Sequence, residues 1–182
     1  MIALEKVPGQ IEPGEVRLLT ELARRAADRD STVIVEFGTL FGKSTACLIN
    51  GILAVRPGPF CQPILHAFDA FECSSDSPFA QQIRKLAGAS KLGGLIKEES
   101  NKVFFRGVYD HFIGPAEALG IVKTTAANFS DLDCDLEGIC LAHVDAAKSY
   151  AGLKAIFSNF VPRWVEVATS SFRTTSIIGP RH

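Results

Sequence analysis

From Val33 to Ile49 the chain reads VIVEFGTLFGKSTACLI. A nearly unbroken apolar, β-branched run meets two closely spaced glycines and passes into a segment of helical composition. A strand that is apolar at successive positions has to be covered on both faces, and a glycine loop joining it to a helix is the first half of a βαβ unit. This stretch therefore restricts the chain to a parallel sheet with helices packed on its faces.

The rest of the sequence supplies matching parts. Pro13 to Ala27 (PGEVRLLTELARRAA) sets Val16, Leu19, Leu22, Ala23 and Ala26 on one helical face, with proline in the first turn and charges opposite, so an amphipathic helix lying on the sheet is expected. The strand runs from Thr32 to Phe37 and the following helix from Ser44 to Val55. A proline-rich loop (RPGPFCQP) then leads into a second strand, Ile64 to Phe71, which carries Asp69 near its end. Glu72 to Gly120 reads as helical cover or a lid, with a Ser/Asp/Pro turn, a Gly-rich break and the aromatic run VFFRGVYDHFI. Ile121 to Ala126 is a third strand and Gly138 to Val144 a fourth, ending at Asp145. Ser149 to Phe160 is a helix and Arg163 to Thr169 a fifth strand. The pattern predicts one domain over 1–182, an α/β fold with a doubly wound, mostly parallel, Rossmann-like sheet and right-handed crossovers. In such a sheet, ligands bind beyond the carboxyl ends of the strands. Gly38, Asp69 and Asp145 all fall at such ends.

Composition narrows the functional classes. A formal net charge of −1 gives no global attraction to nucleic acid or anionic membrane. The five cysteines are odd in number and contain no CxxC pair, so neither a disulfide framework nor a zinc knuckle is indicated, and a cytoplasmic location is expected. No stretch approaches about 18 uninterrupted apolar residues, and the N-terminus lacks the apolar run of a signal peptide, so a soluble, unprocessed protein is expected.

The glycine loop suggests two chemistries. A P-loop needs G-x-x-x-x-G-K-[ST], with four residues between its glycines so that successive N–H groups wrap a phosphate. Here Gly38 and Gly42 enclose only Thr39, Leu40 and Phe41, although Lys43, Ser44 and the strand ICLAHVD ending at Asp145 keep a nucleotide-binding reading open. The better fit is E-x-G-x-x-x-G, with Glu36 two residues ahead of Gly38.

In that form the chain resembles the class I S-adenosylmethionine-dependent methyltransferases. It most resembles their small-molecule and sugar O-methyltransferase branch, which carries a VEIGTxxGxST-like loop. GEVRLLTELARRA is similar to the helix before that loop, AFDAFE to the second-strand FDxFE signature, and LAHVDAAKSYAGLKA to the fourth-strand HIDGDHSYEGVKxD segment. The resemblance covers about residues 13–160. It implies S-adenosylmethionine as cofactor and a small polar acceptor as substrate. It also implies a cofactor site formed by Glu36, the loop and helix start (Gly38, Thr39, Gly42, Ser44, Thr45), Asp69 with Ala70 at the ribose, and Asn128 and Phe129, with Ser130, toward the adenine. Glu36 would meet the methionine ammonium, and the helix N–H groups its carboxylate. Each residue has a plainer reading: Glu36 as a structural acid paired with a loop N–H, Asp69 as a turn cap, and His143 as a satisfied core histidine.

Catalysis falls to the fourth-strand motif. His143 and Asp145 share a strand face, and metal-dependent members of the family use an acid at this point to hold a divalent ion such as Mg²⁺, which makes Asp145 the candidate metal ligand. Where the family has Gly-Asp-His, this chain has Ala146-Ala147-Lys148. Lys148 is then either a general base assisting Asp145 and His143, or a solvated charge in a site that binds without transferring. The segment SSFRTTSIIGPRH leaves room for one short strand where the family has two, so a sheet truncated at its C-terminal strands is expected. Family members often form dimers, and thirteen Phe in one small domain suit a homodimer.

Overall fold

In the computed structural model, which describes residues 1–29, 32–129, 132, 135–146 and 150–160, the apolar run becomes β1 (Val33–Phe37) and stands inside a four-stranded sheet. Its neighbours are β2 (Leu65–Asp69) on one side and β7 (Ile139–Val144) on the other, with β6 (Val122–Ala126) beyond β2, and every pairing is parallel. The order β6-β2-β1-β7 turns back at β1, which sets the carboxyl ends of β1, β2 and β7 side by side. The fold is thus the expected α/β arrangement of a mostly parallel sheet with helical layers. The expected fifth strand and everything after it lie outside the described residues.

The alternation along β1 feeds two cores. Ile34 belongs to a large cluster with Leu65, Ala67, Val122 and the buried faces of four helices: α1 (Pro13–Ala27), α2 (Lys43–Val55), α3 (Pro78–Ala89) and α4 (Arg106–Ala118). Val35 and Phe37 belong to a smaller cluster with Phe68, Ile139 and two residues of α5 (Tyr150–Phe160), Ile156 and Phe160. In that cluster Phe37 stacks on Phe68 at 5.4 Å and meets Phe160 edge-on at 4.7 Å.

Two expectations are corrected. The first helix is expected on the sheet, but α1 lies chiefly on α2 and meets the sheet mainly at β7. The reason is α2 itself: Ser44 through Ile52 are all buried, and a helix without a polar side needs cover on its outer face as well. The two helices approach so closely at Gly51 that a Cβ there would stand 2.3 Å from the Thr20 carbonyl oxygen. The second correction concerns Glu72 to Gly120, which holds more than helices. A small antiparallel sheet of β3 (Glu72–Ser74), β5 (Lys102–Phe104) and β4 (Lys97–Glu99) links α3 to α4. Its three-residue strands carry mostly charged or polar side chains, so they give no alternating apolar signal.

Candidate functional site

The glycine loop between β1 and α2 owes its shape to three left-handed residues, Gly38 (φ +88°), Leu40 (φ +49°) and Gly42 (φ +88°). Gly38 N donates to the Phe68 carbonyl, extending the β1–β2 ladder, and Gly42 N donates to the Thr39 carbonyl, closing the turn. Gly42 then begins α2 with no side chain to cap it. At Gly38 and Gly42 the side-chain direction points into the protein. A Cβ on Gly38 would lie 2.5 Å from Ala146 Cβ, and one on Gly42 2.6 Å from Ile113 Cγ1. Part of the need for glycine therefore comes from the chain's own packing.

Asp69, at the end of β2, fastens this loop. Its Oδ2 accepts from Thr39 N at 2.8 Å and Leu40 N at 3.0 Å, while its Oδ1 accepts from Phe71 N at 2.8 Å. Burial pushes the Asp69 carboxyl up from its ordinary value, against the pull of those three N–H groups. The turn-cap reading of Asp69 thus matches the geometry, and the residue does more than cap, because it holds two loop amides from a neighbouring strand.

Glu36 lies beneath the start of α2 and is wholly buried. Its Oε2 accepts from Thr45 Oγ1 at 2.6 Å, so the structural pairing is with a helix hydroxyl and not with a loop N–H. Among the described residues its Oε1 has no bonding partner and faces His143 Nδ1, also unpartnered there, at 3.6 Å. The parallel register puts Glu36 and His143 opposite one another on β1 and β7. Burial alone would lower the His143 pKa, but the Glu36 carboxylate outweighs it and the net shift is upward. His143 is therefore not a satisfied core histidine.

Sequence reasoning missed Tyr109 of α4. It is wholly buried over the same layer, and its hydroxyl pairs with Thr124 Oγ1 at 3.0 Å. Burial, and next the charge of Glu36, push its pKa upward. The lone tyrosine in an otherwise aromatic-hydrocarbon run (VFFRGVYDHF) was the available signal, since a buried phenol needs a polar partner.

The other candidates scatter. Ser44 is buried in the first turn of α2 and Ala70 is half-buried after β2. Asn128 is exposed, and Phe129, half-buried, meets Phe37 edge-on at 5.9 Å and packs against the second core. Asp145 is exposed at the end of β7, held by its N–H on the Phe37 carbonyl at 2.9 Å. Lys148 and Ser130 lie outside the described residues. Among the described residues no group of three His, Cys, Asp or Glu side chains is placed to hold a metal ion, and no helix is long and apolar enough to cross a membrane. A shallow groove of about 430 Å³, lined by Leu4, Ile11, Val16, Glu5, Arg17 and Lys43, opens beside the head of α2.

No protein-family model matches the chain, and no curated protein matches it. Among solved structures it is similar to the TDP-rhamnose 3′-O-methyltransferase of calicheamicin biosynthesis, with a TM-score of 0.46 and 17% identity over 84% of this chain and 60% of that one. A second structure described as a calicheamicin methyltransferase gives a TM-score of 0.48 and 16% identity over 84% and 62%. An O-methyltransferase from Bacillus cereus, solved with SAH, gives 0.45 and 17% over 88% and 56%. The chain spans about three-fifths of the length of these structures.

Proposed function

We propose that this chain binds S-adenosylmethionine at the carboxyl ends of β1, β2 and β7 and directs its methyl group to a hydroxyl of a small polar acceptor. The observation that carries the reading is a buried carboxylate oxygen that finds no partner among the described residues, Glu36 Oε1, lying beneath a helix start that no side chain caps. An acceptor for an ammonium beside free N–H donors for a carboxylate is what an α-amino-acid end requires. In this reading Glu36 takes the ammonium, and the first N–H groups of α2, through Ser44 and Thr45, take the carboxylate. Asp69 accepts from three backbone N–H groups and, at 3.4 Å, from the Thr39 hydroxyl, and in this reading a ribose hydroxyl takes the place of that long bond.

The bound cofactor supplies an electrophilic methyl group on a sulfonium. The chain's own part is to place the acceptor in line with it and to take the hydroxyl proton. Asp145, exposed at the end of β7, is the group for that proton, with Lys148 assisting. Among the described residues no group of three His, Cys, Asp or Glu side chains includes Asp145 in a place to hold a metal ion. A homodimer and a cytoplasmic location belong to the same proposal.

A second reading, a methyltransferase-like domain that binds without transfer, has support of its own. Ala146 fills the open side of Gly38, and Asp69 already holds the loop. Calorimetry with S-adenosylmethionine, S-adenosylhomocysteine and ATP with magnesium separates the possibilities. Micromolar binding of the first two and none of ATP is expected, and the reverse pattern would sink the proposal. Asp69→Ala should weaken cofactor binding at least about tenfold, as expected for a charged hydrogen-bonding group. Asp145→Ala should leave binding intact and abolish methyl transfer. Binding without transfer by the unaltered chain, across a panel of hydroxylated acceptors, would favour the second reading.

A further inference from the structure

Glu36 Oε1 and His143 Nδ1 are the buried side-chain polar atoms that find no partner among the described residues, and they face each other. Their separation of 3.6 Å is too long for a hydrogen bond, so neither satisfies the other. Such atoms are rare in folded proteins and call for an occupant, because an unmade buried bond is costly. The Thr45 hydroxyl fixes Glu36 through its other oxygen, which leaves Oε1 one direction in which to accept. The imidazole keeps 22% of its side-chain surface open, none of it at Nδ1, so His143 is the outer wall of this position and the wholly buried Glu36 its floor.

Two acceptors this close can both be reached from one donor-only group with several hydrogens, and an ammonium has three. We infer that His143, through Nδ1 of its neutral ring, is the second acceptor for the ammonium of the amino-acid ligand that Glu36 holds, and is thus a positioning residue for the cofactor. The inference rests on the function proposed above and gives His143 a different task from the proton transfer expected of it. Against burial, the Glu36 carboxylate favours the protonated ring before any ligand binds, whereas a bound ammonium opposes it. The ligand is therefore met by the neutral ring, which accepts at Nδ1 and carries its hydrogen on Nε2, across the ring from Glu36.

The test is calorimetry on the full chain with S-adenosylhomocysteine and with its analogue in which hydrogen replaces the amino group. His143→Phe keeps a ring of similar size without the acceptor. It should weaken S-adenosylhomocysteine binding by about tenfold or more, in keeping with the loss of one charged hydrogen bond, and leave the analogue unchanged. His143→Gln, which retains an acceptor oxygen, should restore most of the difference. Equal weakening of both ligands, or of neither, would overturn the inference and mark the residue as structural or the gap as a water site. If the unaltered chain binds neither molecule, the function proposed above fails and this inference with it. Where His143→Phe does not fold, the unaltered chain decides: the Nδ1 resonance of His143 in ¹⁵N-histidine spectra should move with S-adenosylhomocysteine and stay put with the analogue. A shift common to both, or absent from both, rejects the assignment.

Discussion

Thr45 shows how much of the site depends on single side chains. Its hydroxyl donates to a fully buried carboxylate, Glu36, and holds that carboxylate in one orientation. Thr45→Val keeps the shape and removes the donor, so unfolding in urea should show a loss of about 1–3 kcal/mol, the cost of leaving a buried acceptor unpaired. Cysteine reactivity provides a second check at this scale. Burial, and next the charge of Glu36, push the Cys47 thiol from 9.0 up to about 11, whereas Cys61 is exposed. A folded pKa above the unfolded one means a stabilising contribution that is complete below pH 9.0 and lost as the pH climbs through about 11. Mass spectrometry of alkylated protein at about pH 8 should therefore find Cys61 modified first, with Cys47 slower by on the order of a hundredfold from its thiolate fraction alone. Glu36 and the glycines could be picked out from the letters because strand, loop and helix are contiguous. The orphaned oxygen could not, because its environment depends on which strand lies beside β1, and His143 is more than a hundred residues away in sequence.

At the scale of elements, the crossing of α1 and α2 is the tightest packing event. Gly51→Ala would press a methyl group against the Thr20 carbonyl oxygen at 2.3 Å and Ala23 Cβ at 2.9 Å. Overpacking of this kind should cost about 1–3 kcal/mol despite alanine's higher helix propensity. Gly88→Ala in α3, where a Cβ meets nothing within 4 Å, should be neutral or stabilising by up to about 1 kcal/mol, and thermal melts of the two variants check both values. Most elements were legible from period and punctuation: β1, β2, β6, β7 and α1, α2, α5 fall within a residue or two of expectation. What stayed hidden was the partner of α1, although α2 carried the clue, since a helix buried from Ser44 to Ile52 has to be sandwiched. The small sheet was hidden for a different reason. Strands such as KEE are held by backbone pairing and by turns at Ser100 and Asn101, both at positive φ, and not by an apolar face.

On the scale of the whole molecule, the sheet divides two interiors of unlike character. One is large, is built from helices α1 to α4, and contains the polar line from His143 through Glu36 to Thr45, with Tyr109 and Thr124 beyond. The other is small and aromatic, and Phe160 closes it by touching both Phe37 and Phe68. Phe160→Ala should remove about 3–5 kcal/mol from the stability measured by denaturant, as large-to-small changes at buried aromatics do. The candidate site, lying on the opposite face, should keep whatever ligand affinity it has while the protein remains folded.

That division gives Glu36 a task during folding. Side chains alternate along β1, so sliding the strand by one residue between β2 and β7 would exchange its faces. The carboxylate would then be driven among Phe68 and Phe160, and Phe37 would be thrust beneath α2 in place of the acid. A charge without a partner in an aromatic interior is far costlier than a misplaced apolar group. The acid at the centre of the sheet therefore works as an alignment mark, penalising the wrong strand register before any ligand is present.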